Sequence, residues 1–100
     1  MREYVIKDQD LEVTLLDFGA TVLSIRFGGQ ELALRYKDKE DYLENPEYLG
    51  ATVGRVANRN RSASFILNGR EYKLSVNQPD GGHHHGGAVG LSKRLWAVAS

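Results

Sequence analysis

The sequence predicts an all-β chain of antiparallel strands, and three observations carry that reading. Apolar and polar residues alternate through much of Leu11–Leu16 and Thr21–Phe27, the period of a half-buried strand. Asn68-Gly69 lies between two strand-like runs, where that dipeptide favours the positive-φ turn of a two-residue hairpin. Gly19 and Gly28-Gly29 separate further runs, as turn residues do.

The elements follow in order. Tyr4-Val5-Ile6 is short and rich in β-branched residues, and Leu11–Leu16 is the second run. In Thr21–Phe27, Val22, Ser24 and Arg26 fall on one face and Leu23, Ile25 and Phe27 on the other. The second face is wholly apolar and is predicted to face the core. Glu31 to Leu34 follows the Gly-Gly turn, which gives an antiparallel meander. Lys39–Leu43 has the composition of one helical turn with Asp38 as its N-cap, ended by Asn45-Pro46. It reads as a connecting turn rather than a packed helix. Pairing outward from Asn68-Gly69 sets Leu67 opposite Arg70 and Phe65 opposite Tyr72, with Phe65, Leu67, Tyr72 and Leu74 on one face. Asn77 to Gly90, with five glycines, reads as a loop. Leu95 to Ala99 returns to a strand pattern, expected as an exposed edge.

Composition narrows the function classes. One hundred residues suffice for one small domain, which buries roughly two-thirds of its unfolded surface. Thirteen basic residues balance thirteen acidic ones, so no single-sign field favours nucleic acid or an anionic membrane. A polyanion partner is therefore disfavoured, and a neutral, polyhydroxylated small molecule is not. The absence of cysteine excludes a disulfide scaffold, a thiolate metal site and a cysteine nucleophile, and fits a cytoplasmic location. No apolar run is long enough to span a bilayer. The nucleophile elbow, the phosphate loop and the dinucleotide fingerprint are all missing.

Two groups of residues could carry chemistry. His83-His84-His85 is followed by Gly86-Gly87. Neighbouring strand residues point to opposite faces, so only His83 and His85 are expected to face the same way. No nearby acid or cysteine completes a tetrahedral set, and a metal site is not expected. The run is then either a histidine-rich surface turn or a place where an imidazole meets a sugar oxygen near neutral pH. The two glycines would let the backbone approach a ligand. Asn58-Arg59 is the second group. A planar fork of donors beside an amide suits vicinal sugar hydroxyls. Solvation of Arg55, Arg59 and Arg61 on a polar loop is the plainer alternative.

Taken together and in order, these motifs resemble the aldose 1-epimerase (galactose mutarotase) family. Asp17-Phe18-Gly19-Ala20-Thr21 resembles its early Gly-Ala turn. Tyr48-Leu49-Gly50-Ala51-Thr52-Val53-Gly54-Arg55-Val56-Ala57-Asn58-Arg59 is similar to its most recognisable stretch. Phe65, Asn68-Gly69 and Tyr72-Lys73-Leu74 match the following hairpin; Asn77, His85-Gly86-Gly87, Gly90 and Leu95-Trp96 match the next block.

The resemblance implies an antiparallel β-sandwich of the galactose-mutarotase type, with residues 1–100 as its N-terminal portion and the remainder supplied in cis or by another chain. It implies anomer interconversion of free hexoses, galactose and glucose, by ring opening and closure, with no cofactor and no metal. Asn58 and Arg59 would hold sugar hydroxyls, and His85 would be the first active-site histidine. An ungapped count from Arg59 selects His84 instead; the Gly-Gly anchor selects His85. The family's usual asparagine–Xaa–leucine before that histidine is replaced here by Gly82-His83-His84, and Arg61 stands where a small or apolar residue is common. The family's second histidine, its acid, and its glutamate, its base, are expected beyond these residues. The competing expectations are a non-catalytic sugar-binding protein on the same scaffold and an inactive fragment.

Overall fold

In the computed structural model, which describes residues 1–99, every paired strand is antiparallel and the described residues contain no α-helix. Three short 3-10 turns are the only helical segments among them. No helix among the described residues is long and apolar enough to cross a membrane. The described residues divide into two compact units: residues 1–52 together with 92–99, and residues 53–91.

The first unit is the predicted meander. Strands β1 (Glu3–Asp8), β2 (Leu11–Leu16), β3 (Thr21–Phe27) and β4 (Gln30–Glu31) lie side by side in chain order. The register of β2 on β3 shifts between Thr14 and Leu15. Leu16 and Leu23 are each 1% exposed and pack with Tyr42, flanked by Phe18, Tyr36 and Leu49. The core therefore gathers on the first half of β3. The apolar face predicted for that strand is buried at Leu23, half-buried at Ile25 and 57% exposed at Phe27. Phe27 ends the strand at the turn into β4 and is not among the residues packed on Tyr42 and Leu16.

The fourth strand is shorter than predicted: the Leu32 N–H still donates to the Ile25 carbonyl at 2.7 Å, but the Ile25 N–H turns to the Glu31 side chain instead of a backbone carbonyl. The Glu31 carboxylate accepts the Ser24 hydroxyl, the Ile25 N–H at 2.9 Å and the Ala33 N–H at 3.1 Å. Chiefly through the Ser24 hydroxyl, against some desolvation, and with help from the two amides and Arg35, its pKa falls from 4.5 to about 2. A depressed carboxylate stabilises the fold above its ordinary pKa and loses that contribution as the pH falls from 4.5 toward 2. Glu31→Gln is expected to lower the urea midpoint at neutral pH, with the gap from wild type closing across that acid window. A gap that stays constant down to the bottom of the window would show that the ionised carboxylate contributes nothing.

Lys39–Leu43 forms one 3-10 turn, but Asp38 makes no side-chain cap; only its carbonyl accepts the Asp41 N–H, at 3.2 Å. Contrary to the connecting-turn expectation, this turn is packed. Tyr42 is 2% exposed, meets the Tyr36 ring edge-on at 5.0 Å, and its hydroxyl accepts the Tyr36 N–H at 3.1 Å. Single-residue periodicity cannot register one tyrosine of a five-residue turn dropping into a core. The turn stops at Asn45, which adopts φ 38 before Pro46 and closes a tight loop through two bonds with Leu49. Leu95 to Ala99 forms no strand: Leu95 makes a single bridge with Phe18, flanked by Gly19 N–H to Arg94 O and Trp96 N–H to Asp17 O. Gly19 is required there, since a Cβ on it would lie 2.3 Å from the Ser92 carbonyl oxygen.

The second unit holds two short ladders. Strands β5 (Arg59–Asn60) and β8 (His83–His84) pair with each other, and β6 (Ser64–Leu67) pairs with β7 (Arg70–Lys73). The hairpin register is the predicted one, Leu67 with Arg70 and Phe65 with Tyr72, and both turn residues have positive φ. Phe65 and Tyr72 stack at 5.1 Å, with the Arg70 guanidinium 5.2 Å from the Tyr72 ring centre. Their face stays exposed except at Leu74.

Candidate functional site

The 77–90 segment is more ordered than a loop. Arg59 pairs with His84 and Asn60 with His83, so the Asn-Arg motif and the histidine run are cross-strand neighbours. The Asn77 side chain continues the ladder on the other side of β8. It donates to the His84 carbonyl at 2.8 Å and accepts the His84 N–H at 2.7 Å, as a neighbouring strand would.

The three histidines take two roles. His83 is buried, and its Nδ1 donates to the Ser75 carbonyl at 2.8 Å, since a carbonyl can only accept. His84 and His85 leave that direction and stack on each other, ring centres 3.9 Å apart and planes 28° apart. The expectation that His83 and His85 would share a face is therefore corrected. His85 sits at φ 48, outside the strand region, and strand alternation ends with His84. Rings stacked face to face do not converge their nitrogens on one ion. Among the described residues no group of three metal-ligating acids, histidines or cysteines occurs.

His85 is tied twice to Asn58, at 2.8 Å in each case: its N–H donates to the Asn58 carbonyl, and its Nδ1 accepts the Asn58 N–H. An Nδ1 that accepts leaves the neutral ring's proton on Nε2. His85 therefore offers a hydrogen-bond donor at Nε2, held at a fixed distance from the Asn58 backbone. Arg59 donates from Nη1 to the Gln78 side-chain oxygen at 2.8 Å, and the Gln78 nitrogen lies 3.3 Å from His84 Nδ1. Burial pushes the His84 pKa down, and the neighbouring His85 and Arg59 push it the same way, so this ring stays neutral at physiological pH.

The two glycines after His85 serve the chain itself. A Cβ on Gly86 would lie 1.7 Å from the Gly54 carbonyl oxygen, and one on Gly87 would meet Ser75 Oγ at 2.1 Å and the His83 ring at 2.6 Å. The close approach that sequence reasoning reserved for a ligand is made by protein atoms. Beside the ladder lies a hollow of about 240 Å³, lined by Arg59, Arg61, Gln78 and Asp80 among others but not by His84 or His85. It is smaller than the roughly 300–1,000 Å³ of ordinary ligand pockets.

Asn58, Arg59, His84 and His85 are thus brought together within one unit, though Asn58 and His85 are 27 residues apart. Sequence reasoning assigned no role to Gln78 and none to the Asn77 amide. Nothing in the run Asn77-Gln78-Pro79 signals which amide will bridge and which will mimic a strand.

The antiparallel fold is shared with solved structures of sugar epimerases. The crystal structure of galactose 1-epimerase from Lactobacillus acidophilus matches 94% of this chain and 28% of its own, with a TM-score of 0.82 at 30% identity. The GalM/aldose epimerase homologue from C. elegans matches 99% of this chain and 33% of its own, with a TM-score of 0.83 at 33% identity. The family model for aldose 1-epimerase matches residues 2–100, and the chain belongs to that family. Galactose mutarotase of Bos taurus is 33% identical over 101 residues, which is 96% of this chain and 29% of the relative. The chain therefore spans about three-tenths of that relative's length.

Proposed function

We propose that the full-length protein is an aldose 1-epimerase that interconverts the α and β anomers of free hexoses, galactose and glucose. The observation that supports this most is the joint placement of Asn58, Arg59 and the His84–His85 stack, in a chain of this family. In this reading a carboxylate takes the proton of the C1 hydroxyl while an acid protonates the ring oxygen. The bond from C1 to the ring oxygen breaks, the C1–C2 bond rotates in the open-chain aldehyde, and closure on the other face returns both protons. The acid and base are assigned to residues outside these 100. Asn58 and Arg59 hold hydroxyls, and His85 donates from Nε2 to a sugar oxygen near the reacting carbon. His84 adds a second contact. Neither metal nor cofactor takes part.

The same reading makes residues 1–100 the N-terminal part of one mutarotase-like sandwich. The exposure of Leu34 at 81%, Ile66 at 75% and Leu95 at 73% supports a need for further residues, in cis or from another chain. A cytoplasmic location belongs to this reading and rests on the cysteine-free sequence.

Polarimetry on freshly dissolved α-galactose and α-glucose tests it. The full-length protein is expected to accelerate mutarotation, and residues 1–100 alone are not. Sugar binding without acceleration by the full-length protein would replace catalysis with a binding role.

A further inference from the structure

Gln78 joins two residues of the sugar site, and every hydrogen-bonding atom of its amide is engaged. Its oxygen must be the atom facing Arg59, because a guanidinium only donates; that bond is 2.8 Å. The orientation of the amide is thereby settled, which side-chain amides seldom allow on their own. The Gln78 nitrogen then faces the Asn77 carbonyl at 3.3 Å and His84 Nδ1 at 3.3 Å. One hydrogen goes to each. His84 Nδ1 is thus an acceptor, and the neutral His84 ring carries its proton on Nε2.

The Asn58 N–H imposes the same tautomer on His85 from another side. The two stacked imidazoles are therefore set alike, one by a backbone amide and one by Gln78. Arg59 and His84 are also cross-strand partners, so Gln78 links the side chains of a pair whose backbones the ladder already aligns.

We propose that Gln78 is a positioning residue of the sugar site: it holds the Arg59 guanidinium and fixes His84 as an Nε2–H donor. The sugar in this statement rests on the proposed mutarotase function; the tie among the three side chains does not. Gln78 touches no reacting atom, and its effect on binding passes through Arg59 and His84.

Gln78→Glu is the informative substitution, because it keeps size and shape. A carboxylate still accepts from Arg59 but has no hydrogen for His84 Nδ1. The His84 ring must then move its proton to Nδ1 or take up a second one. Gln78→Ala removes both ties and guards against a misleading result from the added charge. Two-bond 1H–15N correlation spectra of the histidine-labelled full-length protein report the tautomer directly. Wild type is expected to show the Nε2–H form at His84, Gln78→Glu an Nδ1-protonated ring, and Gln78→Ala a mixture, with His85 unchanged in all three. In mutarotation assays, loss of one such bond corresponds to a KM increase of roughly two- to tenfold, with kcat held.

An unchanged His84 signal in both variants would overturn the proposal. So would a changed signal with an unaltered KM, since the tie would then do nothing for the sugar. A changed signal in a full-length protein that neither binds nor turns over hexoses would uphold the Gln78 tie and remove the mutarotase reading instead.

Discussion

Gly86→Ala is expected to destabilise the full-length protein by about 3–5 kcal/mol, among the largest effects a single methyl group can have. The added Cβ would lie 1.7 Å from the Gly54 carbonyl oxygen, 2.5 Å from its carbon and 3.2 Å from Gly90 Cα. All three are backbone atoms, so no side chain can rotate away. The residue also sits at φ +92, where an L side chain is strained regardless of space. Gly54 O further accepts the Leu91 N–H at 3.1 Å, so pushing it aside breaks a second contact. The control is Gly69→Ala in the hairpin turn. That residue has φ +77 but nothing within 4 Å of a built Cβ, so only the conformational term remains, about 1–2 kcal/mol. Urea unfolding at constant m separates the two. Equal midpoint shifts would mean that the approach of Gly86 to Gly54 does not constrain the fold.

His85→Asn in the full-length protein should lower kcat/KM for mutarotation by about 10²–10⁴, the range for loss of a positioned proton-handling or hydrogen-bonding group. His84→Leu should cost less than about tenfold, as removal of a single binding contact does. The pair of variants decides between two adjacent imidazoles that stack at 3.9 Å. The distinction rests on how each ring is held. His85 is fixed by backbone atoms on both its N–H and its Nδ1. His84 is fixed at its ring by a side-chain amide at the longer distance of 3.3 Å. If His84→Leu proved the more damaging, the assignment would pass to His84, as the ungapped count from Arg59 selects.

The distances at this site also explain why the Asn-Arg motif and the histidine run, separated by a hairpin, act as one local structure. Two residues of β5 and two of β8 make only a minimal ladder. It persists because side chains extend it: Asn77 on one side of His84, and the Asn58–His85 double tie at its end. A two-residue ladder without such support would be marginal.

Local signals in the sequence determined a good part of this protein. The period-two runs placed β2 and β3 within their observed bounds, and Asn68-Gly69 determined a hairpin whose register follows from its turn geometry. The ordered motifs determined the family. These features depend on residues within a few positions of one another, and local rules reach that far. Tertiary structure alone decided the rest. It placed Tyr42 in the core, ended β4 early by drawing the Ile25 N–H to the Glu31 carboxylate, and reduced Leu95 to Ala99 to one bridge. It also turned His85 out of the strand to stack on His84 and set Gln78 between Arg59 and His84. Each of those outcomes depends on groups distant in sequence competing for the same hydrogen-bonding partner or the same volume, and no periodicity encodes such a competition.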